Sequence, residues 1–277
     1  MKKILLLLPV LLLLVGCTFN SNTKNKYKTN LHNTSLKYGV FLSIDNEEIN
    51  KLEDYDEVVI DAQYFEKEDI DLLHSKGKIV YSYINLGSLE NFRDYYDTYK
   101  SLIIKDYENW DEEGWVDVSN TRWINFMKSL AKDLMSKGID GFFVDNTDIY
   151  YIKKTTRIFN AVTTILKDFM SYDKEVIING GDEYILEYSK KNDVRDVATA
   201  INQETVFSKI DFVNNRLLTQ SKEDREYYQS YIEEAYSKGL HIYLLEYTTD
   251  SLLIERIKEY SSNNHFNYYI SDSIELD

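Results

Sequence analysis

Short runs of apolar, β-branched and aromatic residues recur along the chain from residue 38 onward, and each has the length of a β-strand. Most of these runs are apolar at nearly every position, which is typical of parallel strands covered on both faces. The pattern predicts eight strands: Tyr38–Ile44, Glu57–Asp61, Lys78–Ile84, Gly141–Asp145, Val176–Asn179, Val197–Asn202, His241–Glu246 and Asn267–Ser271.

Between these runs, apolar residues recur every three or four positions, as on one face of an amphipathic helix. Trp123, Phe126, Met127, Leu130 and Leu134 have this spacing. Three helices end in Ser-Lys-Gly, where the glycine can take the left-handed conformation that ends a helix before a strand. The predicted helices are Glu66–Lys76, Arg122–Lys137, Thr155–Met170, Lys222–Lys238 and Leu252–Tyr260.

The alternation of eight strands with helices over residues 38–277 predicts a single (β/α)8 TIM barrel of the α/β class. A doubly wound parallel sheet is the alternative, but no Gly-rich phosphate loop follows the first strand. The connection Gly87–Trp115, rich in Tyr, Asp and Glu, follows the third strand. In a barrel this connection lies on the face that carries the active site.

The first residues have the pattern of a targeting segment. A basic pair at residues 2 and 3 precedes an apolar run too short to span a bilayer, which ends in Leu-Val-Gly-Cys17, similar to a bacterial lipobox. An ordinary signal peptide with an incidental cysteine is the alternative. The sequence predicts a signal peptide over residues 1–16, a tether over residues 17–37 and a barrel over residues 38–277. We therefore expect a cell-envelope protein, lipid-anchored to the membrane outside the cytoplasm through Cys17.

Composition and charge exclude several classes of protein. The chain has 47 acidic and 32 basic residues and a formal net charge of −15. Nucleic acid is not an expected partner, because binding it requires clustered Lys and Arg, whereas a neutral or cationic partner is favoured. A single cysteine excludes a disulfide scaffold and a cysteine-ligated zinc or iron–sulfur site. We expect a monomer without metal or other cofactor.

Acidic residues occur at the ends of several predicted strands, where a barrel enzyme holds its catalytic groups. Asp61, Asp145, Glu204 and Glu246 fall at equivalent places. Glycoside hydrolysis needs two carboxylates that flank the bond to be cut. The four histidines fall in the tether, on a helix or at the starts of strands, so neither a Ser-His-Asp triad nor a His-rich metal site is expected at the mouth.

The residues alone leave the pairing of the carboxylates open. Asp145 on the fourth strand can pair with Glu204 on the sixth or with Glu246 on the seventh. Aromatic and amide side chains at the strand ends are suited to stack on sugar rings and to hydrogen-bond with them. The candidates for substrate binding are Asp61, Tyr83, Asn85, Asn146, Asp148, Asn179 and Tyr247.

Four segments resemble a known family. Tyr81–Arg93 looks like its strand-three motif, and Gly138–Asp148 looks like its Gly-Phe-Asp-Gly-x-x-x-Asp-Asn-x-Asp motif. The segments at residues 202–204 and 245–247 are similar to its later strand ends. The family is glycoside hydrolase family 114, the endo-α-1,4-polygalactosaminidases, and the resemblance extends over about residues 38–271.

This resemblance implies a hydrolase that cuts α-1,4-linked galactosamine polymers, a cationic polysaccharide substrate. Asp145 matches the nucleophile, expected to be ionised, and Glu204 the acid/base, expected to have a raised pKa, with Glu246 as the second choice for that role. Asp61 and Asp148 would bind the substrate and pair with its ammonium group. The alternative function is a catalytically silent, carbohydrate-binding lipoprotein, because a fold does not determine activity.

Overall fold

A computed structural model describes residues 34–108 and 110–277 of the chain. The predicted signal peptide, the lipidation site Cys17 and the tether up to residue 33 lie outside the described residues and stay predictions. Within the described ranges, every helix is too short or too polar to cross a membrane.

A parallel barrel of eight strands forms the centre of the fold. The described strands are β1 (Tyr38–Phe41), β2 (Glu57–Ile60), β3 (Ile79–Asn85), β4 (Ser88–Glu90), β5 (Ile103–Asp106), β6 (Glu113–Val116), β7 (Gly141–Asp145), β8 (Glu175–Asn179), β9 (Ala200–Glu204), β10 (Ser208–Asp211), β11 (Arg216–Thr219), β12 (His241–Tyr247) and β13 (Asn267–Ser271). The barrel order is β1-β2-β3-β7-β8-β9-β12-β13, and β13 returns beside β1. The predicted (β/α)8 barrel is confirmed.

Helices occupy the connections between the barrel strands. In chain order they are α1 (Lys67–Ser75), α2 (Tyr96–Tyr99), α3 (Thr121–Lys137), α4 (Ile149–Ile152), α5 (Thr156–Met170), α6 (Asp182–Ser189), α7 (Lys222–Ser237) and α8 (Ser251–Asn264). Gly77, Gly138 and Gly239 follow α1, α3 and α7 with φ angles of 79°, 99° and 89°. The left-handed helix ends predicted from the three Ser-Lys-Gly sequences are therefore confirmed.

Side chains of the barrel strands alternate between the interior of the barrel and the surrounding helices. Val59, Phe143, Ile177 and Tyr243 belong to a buried cluster inside the barrel. Their strand neighbours belong to a second buried cluster that packs against the helices, for example Val58, Ile60, Phe142, Val144, Val176, Ile178, Ile242 and Leu244. Burial on both faces explains why the strands are apolar at nearly every position.

Two additions extend the barrel beyond the carboxyl ends of its strands. Residues 88–116, between β3 and α3, form an antiparallel sheet of order β4-β6-β5, which we call the insertion. Residues 208–219, between β9 and α7, form the antiparallel hairpin β10–β11. The insertion was predicted as a long connection on this face, whereas no sequence pattern predicted the hairpin.

The sixth barrel strand begins later than the sequence pattern predicts. Its predicted start, Val197, follows a 3-10 turn at Val194–Asp196, which begins where the Asp193 side chain accepts a hydrogen bond from the Arg195 N–H. The strand then spans Ala200–Glu204. Glu204 consequently lies within the strand rather than beyond it, on the same side as the interior residue at position 200.

Candidate active site

Two half-buried carboxylates lie at the mouth of the barrel and share one hydrogen-bond donor. Asp145 ends β7, Glu204 ends β9, and Asn179 ends the strand between them. Nδ2 of Asn179 donates to Oδ1 of Asp145 at 3.0 Å and to Oε1 of Glu204 at 2.7 Å. Because one nitrogen binds both oxygens, these oxygens lie less than about 6 Å apart. The structure thus brings Asp145, Glu204 and Asn179 together.

The orientation of the Asn179 amide is fixed by hydrogen bonds from side chains inside the barrel. Nδ2 of Asn202 donates to Oδ1 of Asn179 at 2.7 Å, and the Tyr38 hydroxyl donates to Oδ1 of Asn202 at 3.2 Å. With its oxygen already accepting a hydrogen bond, the Asn179 side chain keeps its two N–H groups for the carboxylates. Asn202 and Tyr38 were not predicted as site residues, since their positions inside the barrel appear only once the strand register is known.

Further neutral groups donate to the two carboxylates. Asp145 accepts from the Asn146 backbone N–H at 2.9 Å and from the Tyr83 hydroxyl at 3.3 Å. Glu204 accepts from the Tyr247 hydroxyl at 2.8 Å. Tyr83, Asn146 and Tyr247, predicted as sugar contacts, therefore hold the carboxylates in place through these groups.

Burial, reinforced by the negative charge of Glu204, raises the pKa of Asp145. Burial also raises the pKa of Glu204, against the opposing effect of hydrogen bonds from Asn179 and Tyr247. The direction for Glu204 agrees with the expectation for an acid/base. The direction for Asp145 differs from the expected ionised nucleophile, because two carboxylates this close favour sharing a proton.

Glu246 does not join this pair. It lies in β12 between the interior residues Leu245 and Tyr247, so its side chain points to the outside of the strand, and it is 0% exposed. Its carboxylate accepts hydrogen bonds from the backbone N–H groups of Phe207 at 2.9 Å and Ser208 at 2.8 Å. The structure therefore does not bring Glu246 to Asp145 as the alternative pairing expects, and its carboxylate instead anchors the start of the β10–β11 hairpin.

Asp61 directly follows β2, as predicted, but its carboxylate is paired inside the protein. It is 2% exposed, and Nη1 of Arg93 donates to its Oδ2 at 2.6 Å. Arg93 also donates through Nε and Nη2 to the two oxygens of Glu90, each at 3.0 Å. Because its charge is already paired inside the protein, Asp61 is not placed to receive a substrate ammonium group.

Asn85 and Asn146 build one wall of the mouth together with Glu113 from the insertion. Asn146 has a φ of 61°, a left-handed conformation that asparagine tolerates better than most residues. Its Nδ2 donates to Oδ1 of Asn85 at 3.2 Å and to Oε1 of Glu113 at 3.0 Å. The Tyr107 hydroxyl donates to Oδ1 of Asn146 at 3.0 Å. Both predicted asparagines are therefore near Asp145, in structural hydrogen bonds.

Glu113 and Tyr107 were missed by sequence reasoning. Their only signal is that the insertion is rich in Tyr, Asp and Glu and follows a barrel strand. Nothing in the sequence shows which of its acidic residues turns inward. Glu113 is half-buried, and burial raises its pKa despite hydrogen bonds from Ser88 and Asn85.

Asp148, predicted to bind substrate, is a half-buried carboxylate near Glu204. It accepts a hydrogen bond from the Gly181 N–H at 3.3 Å. Burial, with the nearby charge of Asp182, raises its pKa to about 7. Glu204 is close enough to contribute to the same shift. A cation that binds beside Asp148 would therefore stabilise the ionised form of this carboxylate and lower its pKa.

The insertion and the hairpin meet at their tips. Trp110, between β5 and β6, contacts Phe212, directly after β10, with ring centroids 5.9 Å apart and planes at 77°. The two rings are 42% and 38% exposed. In the barrel order β7 and β8 lie between β3 and β9, the strands from which the two additions start. The contact, which we call the aromatic arch, therefore joins two additions that start on either side of β7 and β8.

A (β/α)8 barrel with two carboxylates at its mouth has the architecture of a glycoside hydrolase. Within the described residues, no three His, Cys, Asp or Glu side chains are arranged to hold a metal ion. The model of glycoside-hydrolase family GH114 matches residues 18–275, so the chain belongs to GH114 and is a glycoside hydrolase. The family that the sequence motifs resemble is confirmed.

Solved structures of glycoside hydrolases share the fold of this chain. The glycoside hydrolase domain of PelA from Pseudomonas aeruginosa is 16% identical, with a TM-score of 0.73 over 87% of this chain and 96% of that chain. Aspergillus fumigatus Ega3, solved in complex with galactosamine, is 16% identical, with a TM-score of 0.68 over 88% of this chain and 93% of that chain. A search of curated proteins found no match. At these identities the structural similarity shows the fold alone.

Proposed function

We propose that this protein is an endo-acting glycoside hydrolase that cleaves α-1,4-linked, galactosamine-containing polysaccharide with retention of configuration. The observation that carries this proposal is the pair of carboxylates, Asp145 and Glu204, on the single amide of Asn179. Retaining enzymes hold their two carboxyl groups about 5–5.5 Å apart, whereas inverting enzymes separate them by about 6.5–9.5 Å. A shared donor supports the shorter separation.

In this mechanism Asp145 attacks the anomeric carbon while Glu204 gives its proton to the leaving oxygen. Glu204 then takes a proton from the water that releases the sugar from Asp145. Three groups donate hydrogen bonds to Asp145, from Asn179, Asn146 and Tyr83, and two donate to Glu204. These hydrogen bonds favour the ionised form of Asp145, against burial and the charge of Glu204, which raise its pKa. The proposed mechanism places the shared proton on Glu204.

The charge of the mouth supports an amino sugar as the substrate. Glu113 and Asp148 add two half-buried carboxylates beside the catalytic pair. A protonated amine attracts such groups and lowers their pKa. The similar protein Ega3 was solved with galactosamine bound. We expect binding to weaken as salt rises, since exposed charges are screened over about 8 Å at physiological ionic strength.

Activity on defined polymers tests the proposal. Purified protein is incubated with partly deacetylated α-1,4-galactosaminogalactan and, separately, with neutral α-glucan and α-galactan, and new reducing ends are counted. We expect oligomers from the first polymer alone, with the α-anomer formed first in NMR spectra. Release of the β-anomer first would contradict retention, and equal cleavage of a fully N-acetylated polymer would contradict recognition of free amines.

Three volume-conserving variants test the catalytic roles. Asp145→Asn and Glu204→Gln should each remove most turnover, on the order of a thousandfold, while the fold is kept. Azide should partly rescue Glu204→Gln, because an external nucleophile needs no general base. Glu246→Gln should have the kcat of the wild-type protein under conditions in which the variant is folded. An inactive Glu246→Gln beside an active Glu204→Gln would reverse the assignment, and an inactive wild-type protein would favour the carbohydrate-binding alternative.

The same proposal includes attachment outside the cytoplasm through a lipid on Cys17. The support is the short apolar run that ends in Leu-Val-Gly-Cys. Acyl chains hold a protein on a membrane with about 0.8 kcal/mol per buried CH₂ group. We expect the wild-type protein to fractionate with membranes and Cys17→Ser to be unprocessed or soluble. A wholly soluble wild-type protein in the medium would contradict this part.

A further inference from the structure

A buried group of three charged side chains lies next to the catalytic pair. Arg93 binds Asp61 at 2.6 Å and takes both oxygens of Glu90 at 3.0 Å. The three side chains are all less than a tenth exposed. A buried guanidinium that binds two carboxylates fixes their positions strongly, because each broken contact would leave a buried charge unpaired.

Tyr83 connects this group to the nucleophile. Its hydroxyl lies 3.2 Å from Oε1 of Glu90 and 3.3 Å from Oδ2 of Asp145. A phenol has one hydrogen, so it can donate to only one of the two carboxylates at a time. Burial and the charges of Glu90 and Asp145 raise the pKa of Tyr83 well above its usual value, which keeps this hydrogen in place.

The two acceptors compete for this hydrogen at similar distances, 3.2 Å for Glu90 and 3.3 Å for Asp145. Arg93 draws charge from both oxygens of Glu90 and makes that carboxylate a weaker acceptor than a free one. Asp145 changes its accepting strength during the reaction, since it is a carboxylate before attack and an uncharged ester while the sugar is attached. The preferred acceptor of the Tyr83 hydrogen therefore depends on the step of the reaction.

We propose that Glu90, held by Arg93 and Asp61, is a positioning residue that lets Tyr83 donate to Asp145 while Asp145 is ionised and to Glu90 while Asp145 carries the sugar. This inference rests on the proposed function. In the first step Asp145 bonds to the anomeric carbon, and the leaving oxygen takes the proton of Glu204. In the second step water bonds to that carbon, returns a proton to Glu204 and frees Asp145. No proton leaves Tyr83.

The pH profile of kcat/KM distinguishes this role from simple packing. Several titratable groups face Asp145, namely Tyr83 on β3, Tyr107 and Glu113 of the insertion, Glu204 on β9 and Tyr247 on β12. Tyr83→Phe removes a donor from the ionised carboxylate, so the acid limb should move to higher pH by about half a unit or more. Glu90→Gln removes a competing negative charge, so the acid limb should move to lower pH.

Tyr81→Phe is the matched control. Tyr81 lies on the same strand and its hydroxyl also meets a buried carboxylate, that of Glu57 at 3.2 Å, away from Asp145. This control should leave the acid limb in place. Shifts of Tyr83→Phe and Glu90→Gln in the same direction, or a fall in kcat without any shift, would overturn the proposal. If Glu90→Gln does not fold, Glu90→Asp takes its place: the shorter side chain withdraws the competing carboxylate from the Tyr83 hydroxyl, so the acid limb should again move to lower pH, and no shift would overturn the proposal.

A titration without substrate separates this inference from the proposed function. The full-length protein is labelled with ¹³C at the aspartate carboxyl carbons, and the Asp145 signal is identified by its loss in Asp145→Asn. The same opposite shifts should appear in the Asp145 titration even if no polymer is cleaved. An Asp145 titration that is identical in the wild-type protein, Tyr83→Phe and Glu90→Gln would contradict the positioning role alone.

Discussion

An acidic side chain at the end of a barrel strand can point into the barrel mouth or outward, and this direction decides whether it can reach the site or only anchor a neighbouring segment. Glu204 and Glu246 close neighbouring apolar strands and look alike in the sequence. Glu204 falls on an interior position of β9, whereas Glu246 falls on an outward position of β12. Because successive residues of a strand point to opposite sides, a shift of one position separates the proposed acid/base from an anchor.

Glu246→Gln tests the anchor at the residue scale. The carboxylate accepts hydrogen bonds from the Phe207 and Ser208 N–H groups, one on each oxygen. In glutamine one of these oxygens becomes an NH₂ group that faces a backbone donor. We expect a loss of about 1–3 kcal/mol in the free energy of unfolding, measured by urea denaturation.

Glu183→Gln is a suitable control for that measurement. Glu183 pairs with Lys154 at the surface, where an ion pair is worth less than about 1 kcal/mol. Equal losses of stability in the two variants would show that the buried hydrogen bonds of Glu246 contribute no more to the free energy of unfolding than a surface ion pair does. The expected ranking places Glu246→Gln well below the control.

The helices and strands of the barrel could be predicted because each has a strong local pattern. The predicted face of α3 is an example: Trp123, Met127 and Leu134 are buried in the core. The β10–β11 hairpin has no comparable pattern, since its strands have four residues each and are partly exposed. Its position depends on the carboxylate of Glu246, which lies far from the hairpin in the sequence and so is not part of any local pattern.

Close packing between elements predicts a strict requirement at Gly87, where β3 leads into the insertion. A Cβ atom there would lie 1.8 Å from the Asn146 carbonyl oxygen, so the chain would have to move. We expect Gly87→Ala to cost about 1–3 kcal/mol of stability and to lower kcat, because Asn146 adjoins Asp145, the proposed nucleophile. Urea denaturation and polymer cleavage measure the two effects.

Gly77→Ala provides the comparison for that variant. Gly77 has a φ of 79°, and a Cβ there would meet nothing within 4 Å, so the substitution adds only backbone strain. It should cost about 1–2 kcal/mol and leave kcat unchanged. If both glycine variants keep wild-type kcat, the contact with Asn146 does not control the site.

Across the whole molecule, buried carboxyl groups make stability depend on pH. Glu57 lies near the opposite end of the barrel, where the Tyr81 and Tyr243 hydroxyls and the Asn267 amide donate to it. Burial raises its pKa to about 7, and burial raises the pKa of Asp148 and Glu246 to about 7 as well. In the folded state these groups therefore keep protons that the unfolded chain has already lost.

Burial and the charge of Glu204 also raise the pKa of Asp145, to about 8. The free energy of unfolding should consequently fall as pH rises from about 4.5 to about 8 and then level off, with at most about 1.4 kcal/mol per pH unit for each group. Urea denaturation at pH 5, 6, 7, 8 and 9 measures this decline. Glu57→Gln should make it shallower, because an amide has no proton to lose. A protein that becomes more stable over this interval would contradict the expected direction.

The aromatic arch has a topological consequence for a long substrate. A cleft that is bridged across its top is a ring, and a polymer can enter a closed ring only by threading one end. Cleavage in the middle of a chain therefore requires Trp110 and Phe212 to separate at each encounter. We expect viscosity to fall early, before many reducing ends appear, and Trp110→Ala to speed cleavage of long chains but not of short oligomers. Tyr236→Ala, a substitution of an exposed aromatic residue on α7, is the control. If viscosity falls only in proportion to the number of new reducing ends, the Trp110–Phe212 contact stays closed. The polymer is then threaded from one end and cleaved from that end.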